Sequence, residues 1–121
     1  MSQAGEAIVA AADERWLSRP GATLGGELQV PGDKSISHRA LLLGAIADAP
    51  VVIRGLLEGE DCRATRRALA ALGATFETSA DGEIRTGGRG AGVLHSTGHP
   101  LDMGNSGTGM RLMCGLLAGL G

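Results

Sequence analysis

The order of apolar and polar positions along the chain predicts successive units in which a strand, a polar loop and a helix follow one another. In the first unit, a strand at 27–30 enters a Pro-Gly turn, and the helix behind that turn ends at 48–50. The apolar stripe predicted for this helix consists of Ile36, Ala40, Leu43, Gly44 and Ala47. The chain is therefore expected to begin its fold with a strand-to-helix connection.

Two later units repeat this order. A strand at 51–57 precedes a helix at 62–72, and Gly73 is placed to cap the end of that helix. The third unit spans 100–121 and contains a helix at 110–120 behind a glycine-rich loop. Such repetition predicts an α/β fold in which several helix starts converge on one ligand.

The segments outside these units carry no predicted chemistry. Short runs at 74–78, 83–86 and 92–94, separated by glycine-containing turns, predict a small β-meander. An alanine-rich helix is predicted at 7–17. No chemistry is assigned to this N-terminal helix.

Composition narrows the class of protein. The 121 residues fit one small domain or part of a larger one, and 43% hydrophobic with 20% charged residues is an ordinary globular balance. Cys62 and Cys114 lack the short spacing of metal or redox motifs, so we expect two reduced cysteines in the core. Without a signal sequence or a membrane-spanning apolar run, the expected location is the cytoplasm and no membrane is expected as a partner.

The charge pattern disfavours a nucleic-acid-binding protein. The net charge is −2, and the chain has one Phe, one Trp and no Tyr for stacking on bases. The one basic cluster consists of Arg63, Arg66 and Arg67, which are expected on the solvated face of the second helix. No nucleic acid is therefore expected as a partner.

The sequence PGDKSISHR at 31–39 is the first stretch with candidate chemistry. A helix start offers unpaired N–H groups and a positive dipole end, to which Lys34 and Arg39 add two full charges. Ser35 shares a helical face with Arg39, so the set suits a phosphate or a carboxylate. A P-loop is excluded because Leu28 and Asp33 stand at the two positions before Lys34 where that motif requires glycine. The alternative is that Asp33 or Ser35 only caps the helix and that the two cations are solvated.

The loop GNSGTG at 104–109 is the second such stretch. Its glycines allow close approach of a ligand to the backbone, and its polar side chains, among them Asn105 and Thr108, offer hydrogen bonds. Arg111 is the one charge in an otherwise apolar helix, so it reaches back to the helix start, pairs with a buried group, or extends into solvent as an ordinary surface arginine. Asp61 has two alternatives as well, an N-cap or a functional carboxylate.

A metal site is the remaining candidate. His95 and His99 are spaced as H-S-T-G-H in a Gly-Pro loop, but a third and a fourth ligand are missing nearby. No metal is therefore expected.

Three stretches resemble, in the same order, the N-terminal part of the 5-enolpyruvylshikimate-3-phosphate synthase family, also called 3-phosphoshikimate 1-carboxyvinyltransferases. They are PGDKSISHRALLLGAIA at 31–47, LLEGEDCRATRRALAALGA at 56–74 and LDMGNSGTGMRLMCGLLAG at 101–119. The match is weak before about residue 27. The resemblance thus divides the chain into an N-terminal extension at 1–26 and an incomplete first lobe at 27–121.

This resemblance implies a two-lobed fold, each lobe built from repeated βαβαββ units around parallel helices. It implies transfer of the enolpyruvyl group of phosphoenolpyruvate to the 5-hydroxyl of shikimate 3-phosphate, with cleavage of a C–O bond and release of phosphate. That reaction belongs to the shikimate pathway, which leads through chorismate to the aromatic amino acids. Neither a metal nor an organic cofactor is implied, and the full-length enzyme is expected to be a monomer.

The resemblance also assigns roles to residues. It implies catalytic roles for Lys34 and Asp61. It implies substrate-binding roles for Lys34, Ser35, Arg39, Asn105, Gly107, Thr108 and Arg111. Glyphosate-tolerant members of the family carry alanine where this chain has Gly107, so glyphosate is expected to enter the phosphoenolpyruvate site.

The length of the chain departs from the family, whose members are several times longer. The resemblance therefore implies an N-terminal fragment that lacks the acid/base residues of the second lobe and is inactive alone. One alternative is a UDP-N-acetylglucosamine enolpyruvyl transferase, but that family has asparagine at the position of Ser35 and lacks the Ser-x-x-x-Arg pair. The other is an anion-binding module without catalytic activity.

Overall fold

The computed structural model describes residues 16–21 and 23–120. Its elements in chain order are helix α1 (Lys34–Ile46), strand β1 (Val52–Ile53), helix α2 (Glu60–Ala71), strands β2 (Phe76–Thr78) and β3 (Ile84–Thr86), a short 3-10 helix (Ala91–Val93) and helix α3 (Gly107–Ala118). The three predicted long helices and the mixed α/β class are thereby confirmed. The helix predicted at 7–17 lies largely outside the described residues, and no described helix is long and apolar enough to cross a membrane.

The polar residues that precede α1 and α3 start these helices. Asp33 caps α1 by accepting a hydrogen bond from the backbone N–H of Ile36 at 2.8 Å. Ser106 caps α3 in the same way, through the N–H of Gly109 at 3.0 Å. In α2, Gly59 occupies the N-cap position without a side-chain bond, and Glu60 and Asp61 in the first turn complement the helix dipole.

Helix α2 ends in a Schellman motif. Gly73 has a φ of +113°, its N–H donates to the carbonyl of Ala70, and the N–H of Ala74 donates to that of Leu69. Since glycine adopts positive φ without steric cost, the predicted capping role of Gly73 is confirmed.

A small antiparallel sheet lies beside the helices, with the strand order β1-β3-β2. Ile84 and Thr86 of the central strand point into the interior, and the Thr86 hydroxyl accepts a hydrogen bond from the N–H of Val51 at 2.9 Å. A Cβ on Gly44 would lie 2.8 Å from Cγ2 of Thr86, so α1 packs directly on the sheet at its one glycine. The core between helices and sheet consists of Leu41, Leu42, Ala45, Ile53, Cys62, Ala68, Leu69, Leu72, Ala74, Ile84 and Met113.

Several predicted strands are shorter than expected or absent. Residues 27–30 form no strand and are exposed, because none of the described strands pairs with them. Only Val52 and Ile53 of the predicted strand 51–57 pair with β3, the segment at 92–94 belongs to the 3-10 helix, and 100–103 has no strand. Apolar runs of this length predict extended chain, but a strand forms only where a partner supplies its hydrogen bonds.

The predicted apolar stripe of α1 is wrong at Ile36 and Leu43, although Gly44 is buried and Ala40 packs against the core as predicted. Ile36 and Leu43 are 68% and 64% exposed. The buried face of α1 consists of Ser37, His38, Leu41, Leu42, Gly44 and Ala45. Residues 40–47 are apolar on nearly every side of the helix, so their spacing alone could not select the buried face.

One of the two cysteine predictions is also wrong. Cys62 is buried as expected, but Cys114 is exposed on α3. The reason is the same as for α1, since residues 110–118 of α3 are apolar all round except at Arg111 and their pattern does not mark an inner face.

Candidate functional site

Helices α1 and α2 lie side by side, in parallel, with their N-termini together. The ammonium group of Lys34 in the first turn of α1 forms an ion pair with the carboxylate of Asp61 in the first turn of α2. Four residues further along each helix, Nδ1 of His38 is hydrogen-bonded to Oγ1 of Thr65 at 2.9 Å. Since residues one turn apart on α1 meet residues one turn apart on α2 in the same order, the N-termini of both helices lie at the same end of the pair.

Lys34 is charged and accessible at this position. Its side chain is 50% exposed and that of Asp61 is 27% exposed. The hydrogen bond with Asp61, and then the negative charge of that carboxylate, raise the pKa of Lys34 above its ordinary value of 10.5. The ammonium group is therefore protonated at neutral pH and can exchange its carboxylate partner for a ligand anion.

Ser35 and Arg39 occupy the outer face of the first turns of α1. Nη1 of Arg39 donates a hydrogen bond to the backbone oxygen of Ser35 at 3.0 Å, so the guanidinium group folds back toward the helix start. The shared helical face predicted for the two residues is confirmed. Asp33 is the N-cap, so Ser35 lies inside the helix.

The first turn of α3 packs against α2. A Cβ added to Gly104 would lie 3.7 Å from Cβ of Ala64. Gly109 is buried, and a Cβ there would lie 2.5 Å from Oγ1 of Thr65 and 2.7 Å from Oγ of Ser106. Only glycine permits this approach, which brings the start of α3 to the same end of the helix group as Lys34 and Asp61.

The glycine-rich loop is shaped by two local contacts. Gly104 has a φ of +56°, and its N–H donates to Oδ1 of Asp102 at 2.7 Å. Asn105 is exposed and Thr108 is half-buried, whereas the hydroxyl of Ser106 is buried and engaged as the N-cap. Of the polar side chains in this loop, Asn105 and Thr108 are thus the ones accessible to a ligand.

Arg111 reaches back over the first turn of its own helix, one of the three predicted alternatives. Its Nη1 would lie 3.3 Å from a Cβ on Gly107. Arg39, for its part, lines an open groove between α1 and α3 together with Leu42, Leu43, Leu112 and Leu116. Arg39 of α1 and Arg111 of α3 therefore add cations near the starts of the first and third helices.

Asp61 is not an N-cap, because Gly59 occupies that position. Its carboxylate is instead the partner of Lys34. A functional role for Asp61 stays a prediction. The arginines behind it on α2 lie on the solvated face as predicted, where Arg63 and Arg66 pair with Glu58 and Arg67 pairs with Glu60. These three cations are already neutralised by neighbouring carboxylates.

The remaining candidates form no site. Nδ1 of His95 is hydrogen-bonded to the carbonyl oxygen of Val93 at 3.0 Å. Within the described residues, no three His, Cys, Asp or Glu side chains are grouped so as to hold a metal ion. Burial raises the pKa of the Cys62 thiol, followed in effect by the charge of Asp61, so this cysteine is held in the unreactive thiol form.

Three buried polar residues were missed by sequence reasoning. Ser37 accepts a hydrogen bond from the N–H of Leu57 at 3.0 Å, and His38 and Thr65 bond to each other. The available signal was their position, because His38 and Thr65 each follow a predicted site residue by four positions. Their pairing could be recognised only once α1 and α2 were known to be parallel and in register.

A family model for EPSP synthase (3-phosphoshikimate 1-carboxyvinyltransferase) matches residues 18–121. This chain belongs to the EPSP synthase family. It is 53% identical over 106 residues to the 3-phosphoshikimate 1-carboxyvinyltransferase of Syntrophotalea carbinolica, covering 88% of this chain and 25% of that protein. It is 55% identical over 101 residues to the enzyme of Paramagnetospirillum magneticum, covering 84% of this chain and 23% of the relative.

A solved structure agrees with this assignment. EPSP synthase from Acinetobacter baumannii is 46% identical and superposes with a TM-score of 0.69, covering 76% of this chain and 21% of that one. The chain thus spans about a quarter of the length of the curated EPSP synthases that it matches. The family resemblance and the partial α/β lobe expected from the sequence are confirmed, and the relatives' greater length supports an N-terminal fragment.

Proposed function

We propose that this chain supplies the first part of the substrate site of an EPSP synthase. That enzyme transfers the enolpyruvyl group of phosphoenolpyruvate to the 5-hydroxyl of shikimate 3-phosphate and releases phosphate. The observation that carries the proposal is the convergence of three helix starts, with the Lys34–Asp61 ion pair between the first two. Both substrates are polyanions, and helix starts with added cations are suited to bind them.

The proposed roles follow the positions of the side chains. Lys34 contacts both substrates, while Ser35 and Arg39 on the outer face of α1 bind shikimate 3-phosphate. Asp61 acts with Lys34, whose charge it balances before a substrate arrives. These cationic groups offset the repulsion between the two substrates and hold them close enough to react.

The start of α3 is proposed to bind phosphoenolpyruvate. Asn105 and Thr108 are accessible there, and the backbone at Gly107 can approach the ligand closely. Arg111 lies over the same turn and supplies a positive charge. The loop thus combines backbone donors, polar side chains and a guanidinium group at one helix N-terminus.

We propose binding and not turnover for the 121 residues alone. They correspond to about a quarter of each relative, so three quarters of the relatives' residues have no counterpart here. General acid and base groups each contribute roughly 10²- to 10⁴-fold to enzymatic rates, and in the family they lie in the second lobe.

For the full-length enzyme we propose a monomer in the cytoplasm. The division into 1–26 and 27–121 stays a prediction, since the family match begins at residue 18.

A calorimetric titration of shikimate 3-phosphate into the chain tests this function, with circular dichroism to confirm folding. We expect binding that Lys34→Ala abolishes. The matched control is Arg67→Ala, which removes the same charge from the solvated face of α2 and should leave binding unchanged.

Other outcomes would point to other functions. Binding of inorganic phosphate with no preference for shikimate 3-phosphate would favour an anion-binding module. Binding of UDP-N-acetylglucosamine in its place would favour the sister enolpyruvyl transferase. Equal losses in the Lys34 and Arg67 variants would show that the Lys34 site does not bind the substrate.

A further inference from the structure

The hydrogen bond between His38 and Thr65 is the one buried polar contact between side chains of α1 and α2 in the described part of the chain. It lies one helical turn below the exposed Lys34–Asp61 pair, and both residues have 0% of their surface exposed. The two contacts form a ladder across the parallel helices. Its upper rung is charged and accessible, and its lower rung is neutral and shielded from solvent.

Keeping the His38–Thr65 hydrogen bond inside the core has an energetic cost. Within the described residues, Nε2 of His38 has no hydrogen-bond partner although it is fully buried. Burial, and to a smaller extent the cations Lys34 and Arg39, lower the pKa of His38 against the opposing effect of Asp61, so the ring is neutral. An apolar pair of similar shape would fill the same space without leaving a polar atom unpaired. Packing alone therefore does not account for the choice of residues.

The hydroxyl of Thr65 also contacts the third helix. A Cβ on Gly109 would lie 2.5 Å from Oγ1 of Thr65, so the first turn of α3 rests against the same atom that bonds to His38. The buried hydroxyl of Thr65 on α2 thus bonds to α1 and also lies against α3. A hydrogen bond restricts distance and direction, whereas apolar contacts between helices allow them to slide and rotate.

We propose that His38 and Thr65 are positioning residues, which hold the three helix starts in the register that substrate binding requires. Lys34 and Asp61, at the upper rung, are both partly exposed, so they do not by themselves fix the helices. The buried rung sets the distance between them and the position of the Gly107 turn. The inference rests on the proposed function for the identity of the ligand, but the coupling between the helices does not depend on it.

The first test compares Thr65→Val with Thr65→Ser in the ¹⁵N-labelled chain. Valine keeps the shape of threonine and removes the hydroxyl, and serine keeps the hydroxyl. We expect Thr65→Val to shift the backbone amide signals of 34–39 and 105–109, and Thr65→Ser to leave them close to the wild type. Shifts confined to the neighbours of Thr65 on α2, or equal shifts in both variants, would overturn the proposal.

The second test measures affinity for shikimate 3-phosphate together with the melting temperature. We expect Thr65→Val to weaken binding about fivefold to tenfold, the equivalent of one hydrogen bond, and Thr65→Ser to retain affinity. The double variant His38→Leu/Thr65→Val removes both polar partners, so it should recover the melting temperature without recovering affinity. Recovery of both would show that the pair serves stability only and would overturn the positioning role.

These two tests separate the inference from the proposed function. If the wild-type chain fails to bind shikimate 3-phosphate but Thr65→Val still shifts the amides of 34–39 and 105–109, the choice of substrate is wrong and the coupling stands. If the wild type binds and Thr65→Val changes neither the amides nor the affinity, the function stands and the positioning role is wrong.

Discussion

The ammonium group of Lys34 and the carboxylate of Asp61 form an ion pair that joins the first turns of α1 and α2. In the absence of a ligand, each group neutralises the other at the place where an anion is proposed to bind. An incoming phosphate must therefore share Lys34 with Asp61, or displace it. Asp61 thus has opposite effects on the ligand, because it orients Lys34 and also repels negative charge.

Replacing Asp61 by asparagine should separate these two effects. Asp61→Asn removes the negative charge, so inorganic phosphate is expected to bind about twofold to fivefold more tightly, the range of a partly exposed ion pair. Calorimetric titration at low ionic strength would measure this, with Glu60→Gln as the control that removes a carboxylate paired to Arg67 instead. Weaker phosphate binding in Asp61→Asn would mean that orientation of Lys34 outweighs repulsion.

The buried His38 predicts how stability depends on pH. Its pKa is lowered from the ordinary value of 6.5, so the unfolded chain binds a proton at a higher pH than the folded chain does. The contribution of neutral His38 to the free energy of unfolding is therefore fully present above pH 6.5. It is lost as the pH falls below that value, by at most about 1.4 kcal/mol per pH unit.

Urea unfolding between about pH 7.5 and pH 5 would measure this dependence. The control is His38→Asn, which cannot take up the proton, so its curve should be flatter by the contribution of one histidine. Parallel curves for the two proteins would contradict a lowered pKa at this position.

Two glycines of α3 should respond in opposite directions to alanine. Gly109→Ala places a Cβ 2.5 Å from Oγ1 of Thr65 and is expected to destabilise the chain by about 1–3 kcal/mol. Gly115 has no atom within 4 Å of its Cβ position, so Gly115→Ala should stabilise α3 by up to about 1 kcal/mol. Thermal or urea unfolding of both variants would check the pair, and an equal effect in both would contradict the close packing of α3 on α2.

Gly107 is expected to govern access of glyphosate. A Cβ at this position would lie 3.3 Å from Nη1 of Arg111, so Gly107→Ala should push the guanidinium group aside and narrow the proposed phosphoenolpyruvate site. In a full-length EPSP synthase that carries this segment, glyphosate should inhibit the parent strongly and the alanine variant at least about tenfold more weakly.

Inhibition curves at several phosphoenolpyruvate concentrations would measure this effect. The control is Gly115→Ala, an exposed glycine of the same helix with open space at its Cβ position. A parent enzyme with unchanged activity at high glyphosate would show that the site does not admit this compound.

The helix starts show how far local sequence can predict structure. Asp33, Gly73 and Ser106 act on backbone groups within a few residues of themselves, so caps and helix positions follow from neighbouring residues. The face shared by Ser35 and Arg39 is local for the same reason, since the helix repeat determines it. The Gly73 cap and the face shared by Ser35 and Arg39 were accordingly predicted without a structure, and Asp33 was one of two predicted N-caps of α1, whereas α3 begins three residues earlier than predicted with Ser106 as its cap.

The buried face of α1, the exposure of Cys114 and the absent strand at 27–30 were not predicted. Each depends on which other element lies alongside, and long apolar runs do not contain that information. Strand 27–30 in particular needs a hydrogen-bonding partner that none of the described strands provides.

By itself, the sequence determined the three helices, their polar starts and the residue types that are proposed to bind anions, because these depend on contacts within one or two turns of the chain. The tertiary structure alone decided that Asp61 meets Lys34, that Thr65 meets His38 and that Gly109 must lack a side chain. Each of these contacts joins residues that are distant in sequence. They exist only because α1 and α2 pack in parallel and in register, with the start of α3 resting on the Thr65 hydroxyl.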